Sequence, residues 1–524
     1  MKKPLFSIHL MGLLLGALAF IGLVMFPPPE AFAIFLQQKF TGANPADLAR
    51  AAVGMQRAFA VLVLMVIWWL TEALPIPVTA LVPAVVGPFL HLQKLAKAKT
   101  GDGYELVSLK TEVILSNYAD NIVFLFFGGY LLAAAMTYQG LDRRITFALL
   151  SLRAFAKTPV RLLLGLMGAT AFVSMWMNNT SVTAMMMPIG VGIATSTRQL
   201  TEAQHSRGMA NFSVCIALGI AYAASIGGVA TIVGSTPNGM AVSMLRQSNI
   251  ASLTFGQWIP FGLPIAILVL LTTWFFLPLA LPFGQLNFAD IHHKIAVEKA
   301  KLGPMGVGEK RVLGIFVGTA TAWMVLPFLK GNVPPSWDYA LGVLAEPWVV
   351  ALAAAVVLFI VPQHLRERQP LITWSYAQSQ TDWGSLVLFG GGLAMSKMLS
   401  ETYAVEWVAQ QIGAVLGQPS LWVMVLCLAL FVNLLTEITS NTAVAAMMIP
   451  LAISLAQQSG LPVVPVIMAI AMSSSMAFML PIATPPNAIA YSTGLIGVKQ
   501  MARVGFLLNI VSTIVIVLVI LWQT

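Results

Sequence analysis

The chain has 524 residues, of which 58% are hydrophobic and only 9% are charged, and its mean hydropathy is +0.85. Because soluble domains carry about 25% charged residues, this composition excludes an ordinary soluble protein and predicts an all-α polytopic membrane protein. The net charge of +9 comes from basic residues scattered over short loops, which indicates membrane topology and no nucleic-acid partner.

Eleven apolar runs along the chain are long enough, whole or broken, to be predicted as transmembrane helices. The first run follows Lys2 and Lys3 and could imitate a signal peptide, but its length favours a span that the protein retains. The predicted spans are residues 9–27, 57–72, 74–90, 121–139, 211–246, 259–280, 312–329, 345–362, 384–399, 463–496 and 503–522.

Two further apolar segments, 161–197 and 420–457, differ from the spans because polar residues interrupt them at their centres. We expect each to form a re-entrant helical hairpin, which enters and leaves the membrane on the same side. A cytoplasmic N-terminus puts most of the 28 lysines and arginines on the inner side, as the positive-inside rule requires. Eleven spans then place the C-terminus outside.

Short motifs recur along the chain in a fixed register, which indicates an internal repeat. The pair Asn179-Thr180 returns 262 residues later as Asn441-Thr442, and Phe127-Gly128-Gly129 returns at the same offset as Phe389-Gly390-Gly391. A second match, at an offset of 249, joins residues 235–238 to residues 484–487. Matching elements are separated by five spans, an odd number, so the two repeats are predicted to be inverted.

The repeat defines the predicted organisation of the chain. A hydrophilic stretch at 284–311 separates the halves and is predicted to be a cytoplasmic linker. The predicted units are 1–56 (first span and outer loop), 57–283 (first inverted repeat, with hairpin 161–197), 284–311 (linker) and 312–524 (second inverted repeat, with hairpin 420–457).

Each hairpin has a polar tip, and each repeat has a span broken at a proline. The tips are Asn178-Asn179-Thr180 and Ser440-Asn441-Thr442, and the breaks are VGSTPNG (233–239) and IATPPNA (482–488). Proline frees upstream carbonyls, and the helix starting at each tip presents unpaired N–H groups. Such groups suit a carboxylate or another oxyanion, and the freed carbonyls suit a small hard cation.

The basic residues that are missing from these segments are also informative. No lysine or arginine occurs between Arg161 and Arg198, between Arg207 and Arg246, or between Lys397 and Lys499. Helix dipoles contribute only about 0.3–2 kcal/mol each, so a divalent anion needs bound cations beside it. The alternative is that the polar residues only cap kinked helices or join helices together, and their symmetric recurrence disfavours it.

The residues above resemble the divalent anion/sodium symporter family, which includes the bacterial sodium–dicarboxylate cotransporters. The resemblance covers nearly the whole chain and rests on both tips and on WWLTEALPIPVTALVP (68–83), GLDRRI (140–145), SIGGVATIVGSTPN (225–238) and SSMAFMLPIATPPNAIA (474–490). It implies an elevator-type transporter in a bacterial inner (plasma) membrane, built as a homodimer within membrane lipid. A transport domain holding both hairpins and both broken spans would move against a fixed scaffold.

The resemblance also implies the ligands of the transported ions. The first Na+ site would use Ser174, Asn178, Asn179 and Gly234, and the second would use Thr436, Thr439, Asn441 and Ala483. The substrate carboxylates would contact the two tips and the two breaks through Asn178, Asn179, Thr180, Ser440, Asn441, Thr442, Ser235, Thr484 and Pro485. The first tip departs from the family pattern Ser-Asn-Thr, because Asn178 replaces the serine. This asparagine could narrow the site, favour another anion, or cap the helix.

The predicted function is Na+-coupled uptake of divalent anions, most simply C4-dicarboxylates such as succinate, malate and fumarate. A sodium-independent dicarboxylate exchanger and a sulfate or citrate carrier remain alternatives. A membrane-embedded enzyme would need a His/Asp/Glu cluster at the interface, and the sequence shows none, so we predict that the chain is not an enzyme. Glu72 is interpreted as structural, Glu437 as either a support for the second tip or a modulator of cation binding, and His292-His293 as a solvated pair.

Overall fold

The computed structural model describes residues 8–98, 103–152, 155, 158–200, 207–283, 291–330, 332–364 and 367–524. These residues form a mainly helical protein with two small strand pairs. The helices are α1 (Ile8–Met25), α2 (Glu30–Lys39), α3 (Pro45–Leu70), α4 (Ile76–Thr79), α5 (Val82–Val86), α6 (Thr111–Leu115), α7 (Asn121–Tyr138), α8 (Leu141–Leu150), α9 (Pro159–Ser174), α10 (Asn179–Leu200), α11 (Arg207–Gly228), α12 (Thr236–Gln247), α13 (Phe255–Ala280), α14 (Ile291–Lys301), α15 (Val307–Leu329), α16 (Pro335–Leu344), α17 (Pro347–Ile360), α18 (Trp374–Gln380), α19 (Trp383–Glu401), α20 (Ala404–Leu416), α21 (Leu421–Leu435), α22 (Asn441–Gln458), α23 (Val463–Ser473), α24 (Pro485–Ser492) and α25 (Val498–Gln523).

Several helices have the length and composition of membrane spans. Among the described residues, seven helical segments are long and apolar enough to cross a membrane, and a pair bent by 74° at residues 345–346 would make an eighth. The remaining apolar helices are shorter, since breaks interrupt the predicted spans 74–90 and 463–496. The polytopic membrane class is therefore confirmed, whereas the number of eleven spans stays a prediction.

The segments predicted as hairpins each form two helices separated by a short break. In the first, α9 ends at Ser174 and α10 begins at Asn179, and in the second, α21 ends at Leu435 and α22 begins at Asn441. The break thus falls at the polar residues in both segments. The side of the membrane from which each pair enters remains a prediction.

The two proline-containing spans are broken in the same way. The Asn238 side-chain amide donates to Gly228 O (3.0 Å) and Thr231 O (2.7 Å), carbonyls of the stretch between α11 and α12. Asn487 likewise donates to Ala477 O and Leu480 O, both at 3.0 Å, between α23 and α24. The asparagine of each Pro-Asn motif therefore supplies hydrogen-bond donors to carbonyls at the break of its own span.

The repeated Phe-Gly-Gly motif lies on two helices that pack closely against neighbours. A Cβ at Gly128 of α7 would lie 2.7 Å from Ala351 C, and a Cβ at Gly390 of α19 would lie 2.7 Å from Tyr118 Cα. Any larger residue would push backbones apart at both places. Close packing therefore accounts for the glycine that recurs in this motif.

Two antiparallel strand pairs lie in segments that the all-α prediction treats as loops. Strand β1 (Gln93–Lys97) pairs with β2 (Tyr104–Ser108), and β3 (Pro362–His364) pairs with β4 (Glu367–Pro370). The first pair packs on α3, where Gly54 allows contact, since a Cβ there would lie 2.2 Å from Gln93 O. Strands this short are set by such packing rather than by a strong hydropathy pattern.

The structure does not test the predicted domain boundaries. The boundary after residue 56 lies within α3, and the linker 284–311 includes α14 and the start of α15. Residues 284–290 of the linker and the side chains of His292 and His293 lie outside the described part of the chain.

Candidate substrate and ion site

Both tips and both broken spans line one cavity of about 460 Å³. All nine residues predicted to contact the substrate lie on its wall: Asn178, Asn179, Thr180, Ser235, Ser440, Asn441, Thr442, Thr484 and Pro485. They come from α10, α22 and α24 and from the breaks before α10, α12, α22 and α24. The fold therefore brings together residues that are up to 307 positions apart, Asn178 and Pro485.

Among the described residues, no positively charged side chain lines the cavity. Its described lining contains neither lysine, arginine nor histidine, but it contains the carboxylates of Glu72 and Asp382. A dianion in this cavity would meet two carboxylates and the N-terminal ends of four helices, α10, α12, α22 and α24. Helix ends alone offset charge by about 0.3–2 kcal/mol each, so bound cations are required for an anion to bind here.

The first tip is held by a side chain that makes two hydrogen bonds. Asn178 Oδ1 accepts from Thr180 N (2.8 Å), which caps α10, and Asn178 Nδ2 donates to Asp382 Oδ2 (3.0 Å) at the start of α19. The serine that the family pattern favours is too short to do both. No hydrogen bond within the described residues occupies the Thr180 hydroxyl, which leaves it available to a ligand.

The second tip lies against the first broken span. The Thr442 and Thr236 hydroxyls are hydrogen-bonded to each other, and Ser235 Oγ is 2.8 Å from Ser475 Oγ. Thr484 Oγ1 accepts from Asn487 N (3.3 Å) and caps α24. These contacts connect the second hairpin, the first break and the second break into one wall of the cavity.

Oxygen atoms gather behind the first tip, where the first ion site is predicted. Ser174 Oγ donates to Ala224 O (2.7 Å) and lies 2.6 Å from the side-chain amide of Asn179. The orientation that satisfies its neighbours places the Asn179 amide nitrogen here, where it donates to Ser174 Oγ, Ala224 O (3.0 Å) and Gly234 O (3.3 Å). The Asn178 side chain points instead to Asp382. Of the four predicted ligands, the structure therefore brings the side chains of Ser174 and Asn179 and the backbone of Gly234 together.

Two glycines let the backbone close around these oxygens. A Cβ at Gly234 would lie 2.6 Å from Gly228 O and 2.8 Å from Met175 O, and a Cβ at Gly228 would lie 2.7 Å from Gly234 O. Carbonyl oxygens that converge in this way form the kind of ligand set that a hard cation prefers. The described residues thus fit a small monovalent cation at this position.

The second predicted ion site repeats part of this geometry. Thr436 Oγ1 donates to Ser474 O (2.8 Å) and lies 2.6 Å from Asn441 Oδ1. Ala483 lies in the break that lines the cavity. The Thr439 hydroxyl donates to Trp69 O of α3 (3.3 Å), so this side chain is bonded to a different helix.

Glu437 supports the second tip. Its carboxylate accepts from the backbone N–H groups of Phe478 (2.7 Å), Met479 (2.9 Å) and Leu480 (3.1 Å) and from the Asn509 amide (2.6 Å). These bonds attach Glu437, three positions before the tip, to the second break and to α25. Of the two roles that the sequence leaves open for Glu437, the geometry favours support of the second tip over modulation of cation binding.

Several residues that line the cavity were not predicted from the sequence, and Asp382 matters most among them because it carries a carboxylate. It stands 262 residues after Asp120, so the register of the repeat contains a signal for it. Tyr130, Ser385 and Thr236 also line the cavity. Glu72, interpreted from sequence as structural, lines it too, in a left-handed conformation with φ of 47°.

A second cavity of about 760 Å³ adjoins the first tip. It shares Tyr130, Asn178 and Thr180 with the first cavity and extends to Asp142 and Arg143 of the GLDRRI motif. Burial raises the pKa of the Asp142 carboxyl, although its neighbours Arg143 and Thr137 act in the opposite direction. The described residues contain no cluster of three or more His, Cys, Asp or Glu side chains able to hold a metal ion.

Comparison with known proteins places this arrangement in a family. Residues 44–524 match the sodium:sulfate symporter transmembrane region. The chain belongs to this symporter family. The resemblance noted in the sequence is thereby confirmed, and the chain is an integral membrane protein.

Relatives and solved structures agree with this assignment. The chain is 32% identical over 522 residues to the sodium-dependent dicarboxylate transporter SdcS of Staphylococcus aureus (strain USA300), covering 99% of this chain and 92% of SdcS. Its fold is similar to the YdaH transporter of Alcanivorax borkumensis (TM-score 0.51, 14% identity, 89% and 97% coverage) and to MtrF of Neisseria gonorrhoeae (0.50, 12%, 88% and 94%). The family and these relatives are transporters, which confirms that the chain is not an enzyme.

Proposed function

We propose that the protein is a secondary transporter that couples the uptake of divalent anions, C4-dicarboxylates such as succinate, malate and fumarate, to Na+. The observation that carries this proposal is the cavity that both tips and both breaks line, whose described wall holds no lysine, arginine or histidine. Backbone donors, hydroxyls and amides suit carboxylates, but their dipoles are too weak to hold a dianion alone. The 32% identity to a sodium-dependent dicarboxylate transporter supports the same substrate and ion.

The two clusters of oxygens beside the tips are the proposed Na+ sites. Ser174, Asn179 and Gly234 would hold one ion, and Thr436, Asn441 and Ala483 the other, with Asn178 and Thr439 positioned close by in sequence. Each ion would supply a positive charge next to the carboxylates of the substrate. Because the anion is repelled from the cavity without these charges, binding of anion and cation is coupled.

Alternating access is proposed to follow an elevator motion. The tips and breaks would move as one transport domain against a scaffold that includes α7 and α19, and two copies would form a homodimer within the lipid bilayer. The second cavity joins the tip to the GLDRRI motif, which is predicted to be cytoplasmic. We therefore interpret the structure as open toward the cytoplasm of the cell, with the N-terminus inside, the C-terminus outside and the protein in a bacterial inner membrane.

Uptake of labelled succinate into proteoliposomes tests the proposal. An inward Na+ gradient is compared with K+ in place of Na+, each with and without internal succinate. A symporter accumulates succinate with Na+ and without internal anion. Uptake that ignores Na+ and needs internal succinate would identify an exchanger instead.

Uptake of no C4-dicarboxylate under any of these conditions would contradict the substrate assignment. Labelled sulfate and citrate would then be tested in the same vesicles, since the description of the matched family names sulfate as the transported anion.

A further inference from the structure

Asp382 places an unneutralised carboxylate in the wall of the cavity. It accepts hydrogen bonds from Ser385 Oγ (2.6 Å), Ser385 N (3.0 Å) and Asn178 Nδ2 (3.0 Å). None of the ion pairs among the described residues involves Asp382. Within the described part of the chain its hydrogen bonds come from neutral donors, so the carboxylate faces whatever occupies the cavity.

The matching position in the first half shows the opposite arrangement. Asp120 stands 262 residues earlier at the start of α7, as Asp382 does at the start of α19. Arg246 Nη2 donates to both Asp120 oxygens (2.9 and 2.8 Å), and Ser243 Oγ donates to one of them (2.9 Å). The residue 249 positions after Arg246 is Leu495, so the second half lacks the corresponding cation.

A buried hydroxyl without a partner lies beside Asp382. Tyr130 is only 7% exposed, and within the described part of the chain its Oη makes no hydrogen bond. The side chains of Ser385 and Asn178, its nearest polar neighbours, both donate their hydrogen bonds to Asp382, and Tyr130 lines the same cavity. Because a buried hydroxyl is costly when unpaired, this donor is suited to a group supplied by the ligand.

We propose that Tyr130 and Asp382 form a subsite for a hydrogen-bond donor on the carbon next to one substrate carboxylate. A C2 hydroxyl or ammonium group would donate to Asp382, and the Tyr130 hydroxyl would donate to the adjacent carboxylate. This inference rests on the proposed dicarboxylate transport. It makes the carrier selective for substituted C4-dicarboxylates over unsubstituted succinate.

The physical reason is that succinate and a substituted dicarboxylate would contact the Asp382 carboxylate in different ways. Succinate presents only acceptors and carbon-bound hydrogens to Asp382, so its charge is repelled there. A hydroxyl or ammonium hydrogen converts that contact into a charge-assisted hydrogen bond. Asn178 acts as a positioning residue, since its amide holds Asp382 while its carbonyl caps α10.

Uptake of labelled succinate, L-malate and L-aspartate by the full-length protein in proteoliposomes tests the inference. We expect kcat/KM in the presence of Na+ to favour malate or aspartate over succinate by about 10-fold or more. Comparison of malate with aspartate shows whether the donor is a hydroxyl or an ammonium group. The ratio is measured on one protein, so the amount of folded carrier does not affect it.

Variants locate the preference at the subsite. In Asp382→Asn the preference should fall to about 3-fold or less, and Asn178→Ser should lower it in the same direction. Tyr130→Phe should lower kcat/KM for all three compounds. Asp120→Asn is the matched control, because it removes the corresponding charge outside the cavity and should leave the ratio unchanged.

A wild-type ratio near one, or the wild-type ratio retained in a transporting Asp382→Asn protein, overturns the inference while dicarboxylate transport stands. If Asp382→Asn does not fold, an unchanged ratio in Asn178→Ser overturns it. Wild-type protein that transports none of the three compounds contradicts the proposed function itself.

Discussion

The two halves of the site share one framework and differ in how they are attached to the rest of the protein. Ser174 and Asn179 of the first half are 2.6 Å apart, as are Thr436 and Asn441 of the second. Each hydroxyl also donates to a carbonyl of the neighbouring broken span. The groups proposed to hold cations are therefore duplicated.

The surroundings of the two tips are not duplicated. Asp120 is neutralised by Arg246 outside the cavity, whereas Asp382 bonds to Asn178 inside it. Glu437, which anchors the second tip, occupies the position that Met175 holds in the first. The comparison teaches that the proposed ion sites follow the repeat, whereas the proposed anion selectivity and the attachment of the tips depend on residues that break it.

The largest expected effect follows from removing the threonine hydroxyl that both tips share. Thr180→Ala and Thr442→Ala should each lower succinate uptake in proteoliposomes at least about 10-fold, because each loses a hydroxyl donor at the anion site. Expression and dimerisation should be unchanged. Normal uptake by both variants would refute the proposed site.

The next effect distinguishes the two ion sites. Gly234→Ala should raise the Na+ concentration for half-maximal uptake at least about 10-fold, because its Cβ would displace the carbonyls of Gly228 and Met175. The matched residue of the second half is already Ala483. Ala483→Gly is the control and should change the Na+ dependence far less, and equal effects would contradict the assigned difference between the sites.

Stability should reveal the difference in anchoring. Glu437→Ala should lower the free energy of unfolding by about 3 kcal/mol, because four N–H donors lose their acceptor in a buried place. The matched Met175→Leu should cost less than about 1.5 kcal/mol. Thermal denaturation of the two purified variants measures this, and similar midpoints would argue against an anchoring role for Glu437.

The smallest effect concerns the residue that differs between the tips. Asn178→Ser should retain succinate uptake within about 3-fold, since serine at this position is what the second tip carries. Ser440→Asn should reduce uptake more. The new amide at the second tip would have no carboxylate partner in the cavity that corresponds to Asp382, to which the Asn178 amide is bonded. Parallel assays of succinate uptake by the two variants test this prediction. A larger loss in Asn178→Ser than in Ser440→Asn would mean that Asn178 itself contacts the anion.

Much of the site was predictable because its signals are local in sequence. The polar tips interrupt apolar runs, the breaks contain proline followed by asparagine, and the offsets of 262 and 249 link them. These features locate the two tips and the two breaks, the family resemblance implies nine contact residues within them, and all nine line the cavity. Strand pairs such as β1–β2 were not predicted, because packing on α3 decides them rather than the hydropathy of five residues.

Asp382 shows the limit of the sequence. The register links it to Asp120, yet nothing local distinguishes a carboxylate that pairs with arginine from one that lines the cavity. The sequence by itself determined the membrane class, the polar tips and the broken spans, because hydropathy and proline act on neighbouring residues. Only the tertiary structure decided which carboxylate has an arginine partner, because contacts such as Asn178–Asp382 and Asp120–Arg246 join residues that are more than 100 positions apart.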